Sequence, residues 1–155
     1  MKINLRELQS EEVKEFKADI SSDEFMREVA NEDMTSVRIY VAYDLETKEK
    51  IGYVAYDIYD SRNACICYLY VKENCRGLGF GKEILRKIIN KLKKKFNYLY
   101  GFAVPENEIA LRMYCKYYKF LGKNKKLISC DYYQCEELLR KNDENNYEVC
   151  FYEGV

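Results

Sequence analysis

The stretch from Ala64 to Phe96 limits the possible folds more than any other part of the chain. It opens with A-C-I-C-Y-L-Y-V, a run almost continuously apolar and rich in β-branched and aromatic residues, as a central strand requires. Cys75-Arg76-Gly77-Leu78-Gly79-Phe80-Gly81 follows. Ile84, Leu85, Ile88, Ile89, Leu92 and Phe96 then recur at helical spacing, while Arg86, Lys87, Lys91, Lys93, Lys94 and Lys95 fill the other face. A buried strand therefore passes into an amphipathic helix through alternate glycines. The chain has only seven glycines, so the three packed into residues 77–81 carry weight.

The flanking segments can be read around this unit. Lys2 to Leu8 alternates apolar and polar residues and predicts a first strand. Ser10-Glu11-Glu12-Val13 predicts a helix start, with Val13, Phe16 and Ile20 on one face; a second start follows at Ser22-Asp23-Glu24 and runs to about Asn31. Val37 to Tyr43 and Ile51 to Tyr59, joined by a polar segment, predict a hairpin that leads into the strand at Ala64. Beyond the long helix, Tyr98 to Val104 reads as a short strand and Asn107 to Phe120 as a helix closed by Gly122. Lys126 to Cys130 and Tyr147 to Tyr152 read as strands, with a helical turn at Cys135 to Arg140 between them. There is no repeat and no linker, so one mixed α/β domain over residues 1–155 is expected, with one sheet covered by helices.

Composition excludes more than it proposes. The 155 residues include 26 basic and 26 acidic side chains, and this zero net charge gives no push toward nucleic acid. The lysine face of residues 86–95 reads as the solvated side of a helix. With no histidine, His-ligated metal sites, Ser-His-Asp triads and Cys-His dyads are excluded within the chain, and no metal is expected. Seven cysteines without a CxxC pair, and no secretory leader read at Met1-Lys2-Ile3, point to reduced thiols in a cytoplasmic protein. No apolar run reaches the roughly 20 residues of a membrane span.

A glycine turn at a helix start suits a phosphate. Its amides and the first unpaired N–H groups of the helix point outward together, with the helix dipole behind them, and Arg76 and Lys82 flank the turn. Two common nucleotide motifs fail here. The P-loop would need glycine at Arg76 and Ser or Thr at Glu83; the dinucleotide fingerprint would need glycine at Lys82.

Arg76-Gly77-Leu78-Gly79-Phe80-Gly81 instead resembles the R/Q-x-x-G-x-G/A motif of the GCN5-related N-acetyltransferase (GNAT) family. A second block, Val104 to Tyr114, is similar to the family's next conserved stretch, with Asn107, Ala110, Met113 and Tyr114 in matching places. That block usually closes with Gly-Phe, whereas this chain has Tyr118-Lys119-Phe120 there.

The resemblance implies a GNAT-type acyl-CoA N-acyltransferase fold. Its sheet would be mixed, largely antiparallel and twisted, with one splayed parallel strand pair and about four flanking helices. It further implies an acetyl-CoA-dependent N-acetyltransferase, a cytoplasmic acyltransferase that uses acetyl-CoA as co-substrate. Backbone groups near Leu69 and Val71 would take the pantetheine arm. Arg76, Gly77, Leu78, Gly79, Phe80, Gly81 and Lys82 would take the pyrophosphate, with Asn107 also on the cofactor side. Tyr114 would be the acid for the leaving thiolate.

Some members carry a Glu base near the position of Cys65, so the base is left open among Asp57, Asp60, Glu73, Glu106 and water. Tyr56, Asp57 and Tyr59, with Asp60 and Phe151-Tyr152, are candidates for an aromatic, acidic acceptor pocket that would favour a cationic amine. The acceptor is expected to be a small amine, a peptide or protein N-terminus, or a lysine; a homodimer is left open. The competing readings are a non-catalytic acyl-CoA-binding or regulatory domain, a thiol-relay transferase through Cys75 or Cys115, and a nucleic-acid module using the lysine face.

Overall fold

The computed structural model describes residues 2–21, 37–102, 108–122, 127–128, 131–141 and 148–154. Strand β1 (Ile3–Glu7) is followed by a 3-10 turn (Ser10–Glu12) and helix α1 (Val13–Ile20). Strands β2 (Val37–Asp44), β3 (Lys50–Ile58) and β4 (Asn63–Val71) come next, then a second 3-10 turn (Glu73–Cys75) and helix α2 (Phe80–Leu92). Strand β5 (Tyr98–Phe102), helix α3 (Glu108–Tyr117) and strands β6 (Lys119–Leu121) and β7 (Leu127–Ile128) follow. Helix α4 (Tyr132–Lys141) and strand β8 (Glu148–Glu153) complete the order. The strands form one sheet in the order β1-β2-β3-β4-β5-β8-β6-β7. Every neighbouring pair is antiparallel except β4 with β5.

The expected mixed sheet with one parallel pair is observed. The expected helices differ in two places. Residues 118–120 do not continue α3: Phe120 is fully buried in β6, opposite Val149 of β8, and sheet pairing outcompetes another helical turn. The helical turn expected at 135–140 is a ten-residue helix started by Asp131, whose Oδ1 accepts the Gln134 amide at 3.0 Å. The second early helix, Val104, Pro105, Glu106, Asn107 and Cys130 lie outside the described residues.

Two clusters hold the sheet between its helices. On one face Ile84, Leu85, Ile88, Ile89 and Leu92 of α2 pack with Leu111 and Cys115 of α3 over Tyr40, Val54, Tyr56, Ile66 and Leu99. The five α2 side chains contribute about 1.5–3 kcal/mol each by leaving water, an upper bound because the unfolded chain already buries some of that surface. On the other face Phe16 and Ile20 of α1 cover Val41, Tyr53 and Tyr70. Asp19 fastens α1 further: its Oδ2 accepts the Tyr53 hydroxyl at 2.5 Å and pairs with Lys50 at 2.6 Å, while Glu15 pairs with the same ammonium.

Candidate active site

The site is created where β4 and β5 part. Their parallel pairing joins Asn63 to Tyr98, Ala64 to Leu99 and Cys65 to Tyr100, and ends there, although β4 runs on to Val71. Two residues beyond Cys65, Cys67 is the extra residue of a β-bulge: Ala55 faces Tyr68 and Tyr56 faces Ile66. A bulge bends and twists its strand, which turns the rest of β4 away from β5. The gap is a cavity of about 120 Å³ lined by residues 65–69, Leu85, Phe102 and Tyr114.

Hydrogen-bond direction shows what β4 offers to this gap. The Lys72 amide donates to Ile51 of β3 at 2.8 Å. In an antiparallel ladder alternate residues turn their amide and carbonyl the opposite way, so Leu69 and Val71 present theirs toward the cleft. The Val71 carbonyl accepts from Arg76 Nε at 2.8 Å, and the Arg76 guanidinium lies over the Tyr70 ring at 5.5 Å. Arg76 thus clamps the glycine turn to the end of β4, which leaves the Val71 amide and both backbone groups of Leu69 for a ligand.

The turn uses its glycines for conformation. Gly77 and Gly79 have φ of +78° and +83°, where a side chain is strained. Gly79 caps α2, so the amides of Phe80, Gly81 and Lys82 begin the helix without intrahelical acceptors. Gly77, Leu78 and Gly79 are exposed. Lys82 leans on α3, with Nζ 3.4 Å from the Tyr117 hydroxyl and 4.6 Å from its ring centroid. The open turn, its free amides and the flanking cations fit a diphosphate.

Tyr114 reaches the cleft from α3. Its ring packs edge-on against Phe151 at 5.5 Å, and burial pushes its phenol up to about 12, with the neighbouring Cys65 and Tyr118 adding to the effect. The group therefore holds its proton at neutral pH. Cys65, beside it, is likewise pushed up to about 12 by burial, so the thiol at the place of the family's Glu is neutral and supplies no base.

The residues proposed for an acceptor pocket separate. Tyr56 is buried in the α2-side core, stacked 6.2 Å from Tyr40 and edge-on to Phe96 at 6.0 Å. Strand alternation turns Asp57 to the opposite face, beside Cys65, and leaves Tyr59 in solvent at the strand's end. Asp60 caps its own turn by accepting the amides of Arg62 and Asn63, both at 2.8 Å. Phe151 supports Tyr114 rather than lining a pocket, and Glu73 is exposed in the second 3-10 turn. Sequence reading missed Tyr98, Tyr100, Phe102 and Glu148, which gather on Asp57's face; alternate aromatics in β5 were the available signal. Among the described residues no group of metal-ligating side chains occurs, and no helix is long and apolar enough to cross a membrane.

Comparison with known proteins agrees with this geometry. A GNAT family acetyltransferase from Elizabethkingia anophelis with acetyl-CoA bound superposes with a TM-score of 0.62 at 16% identity, covering 99% of this chain and 98% of that one. A GNAT-family acetyltransferase from Staphylococcus aureus gives 0.60 at 19% identity over 96% and 98%. Spermidine N-acetyltransferase from Vibrio cholerae, in complex with CoA and spermine, gives 0.60 at 16% over 96% and 92%. No curated protein matches the sequence. The profile described as "Acetyltransferase (GNAT) family" matches residues 4–120, a span that includes the parted strands, the glycine turn and Tyr114. The chain belongs to the GNAT acetyltransferase family.

Proposed function

We propose that the chain is a single-domain, cytoplasmic, acetyl-CoA-dependent N-acetyltransferase in which a primary amine attacks the thioester directly. The observation that carries this reading is the convergence of three independent features on one cleft: the unpaired length of β4, the glycine turn and the Tyr114 phenol. When bound, acetyl-CoA supplies a thioester carbon to which the amine nitrogen bonds as the carbon–sulfur bond breaks; the nitrogen loses a proton and the sulfur departs as thiolate. Leu69 and Val71 hold the pantetheine arm, Arg76 braces the turn, and the amides from Gly77 to Lys82 hold the diphosphate; the family resemblance adds Asn107 to the cofactor contacts. Tyr114 donates its proton to the thiolate and recovers one from solvent. Cys65 is neutral, so the amine's proton leaves to a carboxylate such as Asp57, which stands beside Cys65, or to water. The six described cysteines are free thiols, which suits a reducing compartment.

A non-catalytic acyl-CoA-binding domain is the second reading, favoured by Cys65 standing where a Glu base would be. Thermal-shift titration with acetyl-CoA, beside a free-CoA release assay over amine and peptide acceptors, tests both. The enzyme reading expects stabilisation of about 2.7 kcal/mol at one hundred times Kd, together with acceptor-dependent CoA release. Stabilisation without release from a broad panel supports the binding domain. No stabilisation overturns both.

A further inference from the structure

The sheet face turned away from α2 and α3 carries a row of side chains that the acetyl-CoA cleft does not use. Residues directly opposite on neighbouring strands share a face. The register joins Asp57 to Cys65, Cys65 to Tyr100 and Tyr100 to Cys150, crossing β3, β4, β5 and β8. Tyr98, Tyr100 and Phe102 stand at alternate positions of β5 on this face, with ring centroids 5.6 and 5.7 Å apart. The Tyr98 hydroxyl donates to Glu148 Oε2 at 2.9 Å; Glu148 lies opposite Phe102 and Glu153 opposite Tyr98.

This face is negative as well as aromatic. After burial, the Asp57 and Glu148 carboxylates both contribute to pushing Cys65 and Tyr100 up to about 12, so their fields overlap in the middle of the row. Among the described residues Asp57 forms no ion pair. Lys119, opposite Cys150, closes the row on the β6 side. α1 packs on this face at Val41, Tyr53 and Tyr70, away from β5. Cys65 and Phe102 also line the cleft, so the row leads directly to the bond-forming position.

We propose that this row recognises the acceptor, and that the acceptor is an aliphatic amine bearing a second cationic nitrogen. The amine to be acetylated passes Asp57 and enters between Cys65 and Phe102. The distal ammonium lies over the Tyr98 and Tyr100 rings beside Glu148, where cation–π attraction and charge act together. Asp57 and Tyr100 are separated by two inter-strand spacings, about 10 Å, which an extended eight-carbon diamine spans. An acceptor carrying a carboxylate at its far end meets repulsion instead. The inference rests on the acetyltransferase reading and adds the substrate class to it.

The test compares three acceptors of equal length, octane-1,8-diamine, octylamine and 8-aminooctanoate, by CoA release at saturating acetyl-CoA. The diamine is expected to exceed the monoamine by roughly 10-fold in kcat/KM and the amino acid by roughly 100-fold. Glu148→Gln is expected to raise the diamine KM about 5- to 20-fold and to leave octylamine within about 2-fold, while Asp57→Asn is expected to raise KM for both amines; each keeps the thermal shift by acetyl-CoA. Equal kcat/KM for diamine and monoamine, or a Glu148→Gln variant that preserves the preference, overturns the proposal. Acetyl-CoA stabilisation without acetylation of any of the three also overturns it while leaving acetyl-CoA binding intact. No stabilisation by acetyl-CoA removes the underlying reading and this one with it.

Discussion

Removing one oxygen atom from Tyr114 separates its chemistry from its packing. In Tyr114→Phe the ring keeps its edge-on contact with Phe151 at 5.5 Å and its place in the wall of the cleft. Among the described residues no group hydrogen-bonds the Tyr114 hydroxyl, so its loss strands no buried partner and stability should stay within about 0.5 kcal/mol. The lost function is proton delivery to a departing thiolate. Positioned acids contribute about 10²- to 10⁴-fold, and a phenol raised to about 12 belongs at the weak end. The expected result is therefore about a 100-fold fall in kcat, or about 2.7 kcal/mol of barrier.

The assay is CoA release at saturating amine, with acetyl-CoA affinity taken from thermal-shift titration of the same variant. Affinity should change less than about 3-fold, because the diphosphate and pantetheine contacts come from other residues. The wild-type phenol stays protonated well above neutrality, so its ionisation adds no alkaline limb to the rate profile below about pH 10. Turnover within 3-fold of wild type, roughly the limit of ordinary substitution effects, would refute the acid role.

Gly79→Glu should abolish stabilisation by acetyl-CoA in thermal-shift titration, since a carboxylate side chain enters a strained φ of +83° at the mouth of the anion site. Gly52→Ala should lower stability by about 3 kcal/mol and Tm by about 6–12 °C in calorimetry, because its methyl group collides with the Tyr70 carbonyl oxygen and so with the neighbouring backbone. Glu12 accepts a two-pronged hydrogen bond from Arg6, at 2.5 and 2.7 Å, which holds its carboxyl down to about 2 from the usual 4.5. A depressed carboxyl stabilises the fold above 4.5 and loses that contribution as pH falls toward 2. Denaturation of wild type and Glu12→Gln should thus differ by under about 1 kcal/mol at pH 6 and converge at pH 2.

The strand-turn-helix unit from Asn63 to Leu92 was legible because each part has its own local cause: apolar continuity, positive φ at glycine, and helical spacing. The hairpin of β2 and β3 was legible for the same reason. The end of α3 was not, because Phe120 joins a strand whose partner Val149 lies far along the chain. α4 was underestimated because Asp131 was not recognised as a cap. In the candidate site, the glycine turn and Tyr114 were legible in sequence, while the placement of Tyr56 and Asp57 relative to each other was not. Tyr56 and Asp57 adjoin in sequence, yet strand alternation puts one in the core and the other on the outer face. Local periodicity alone reveals neither the register of Cys65 with Tyr100 nor the bulge at Cys67.

The early end of pairing between β4 and β5 gives this protein a sheet edge in its interior. Exposed edges invite foreign strands, and proteins usually shield them with charge, short length or a covering element. Here Leu85 and Tyr114 line the gap beside residues 65–69, so that margin has a covering element. A slender amide-bearing chain can lie there and satisfy the backbone. The side chains that line the cleft thus also shield its unpaired backbone from a strand of another molecule.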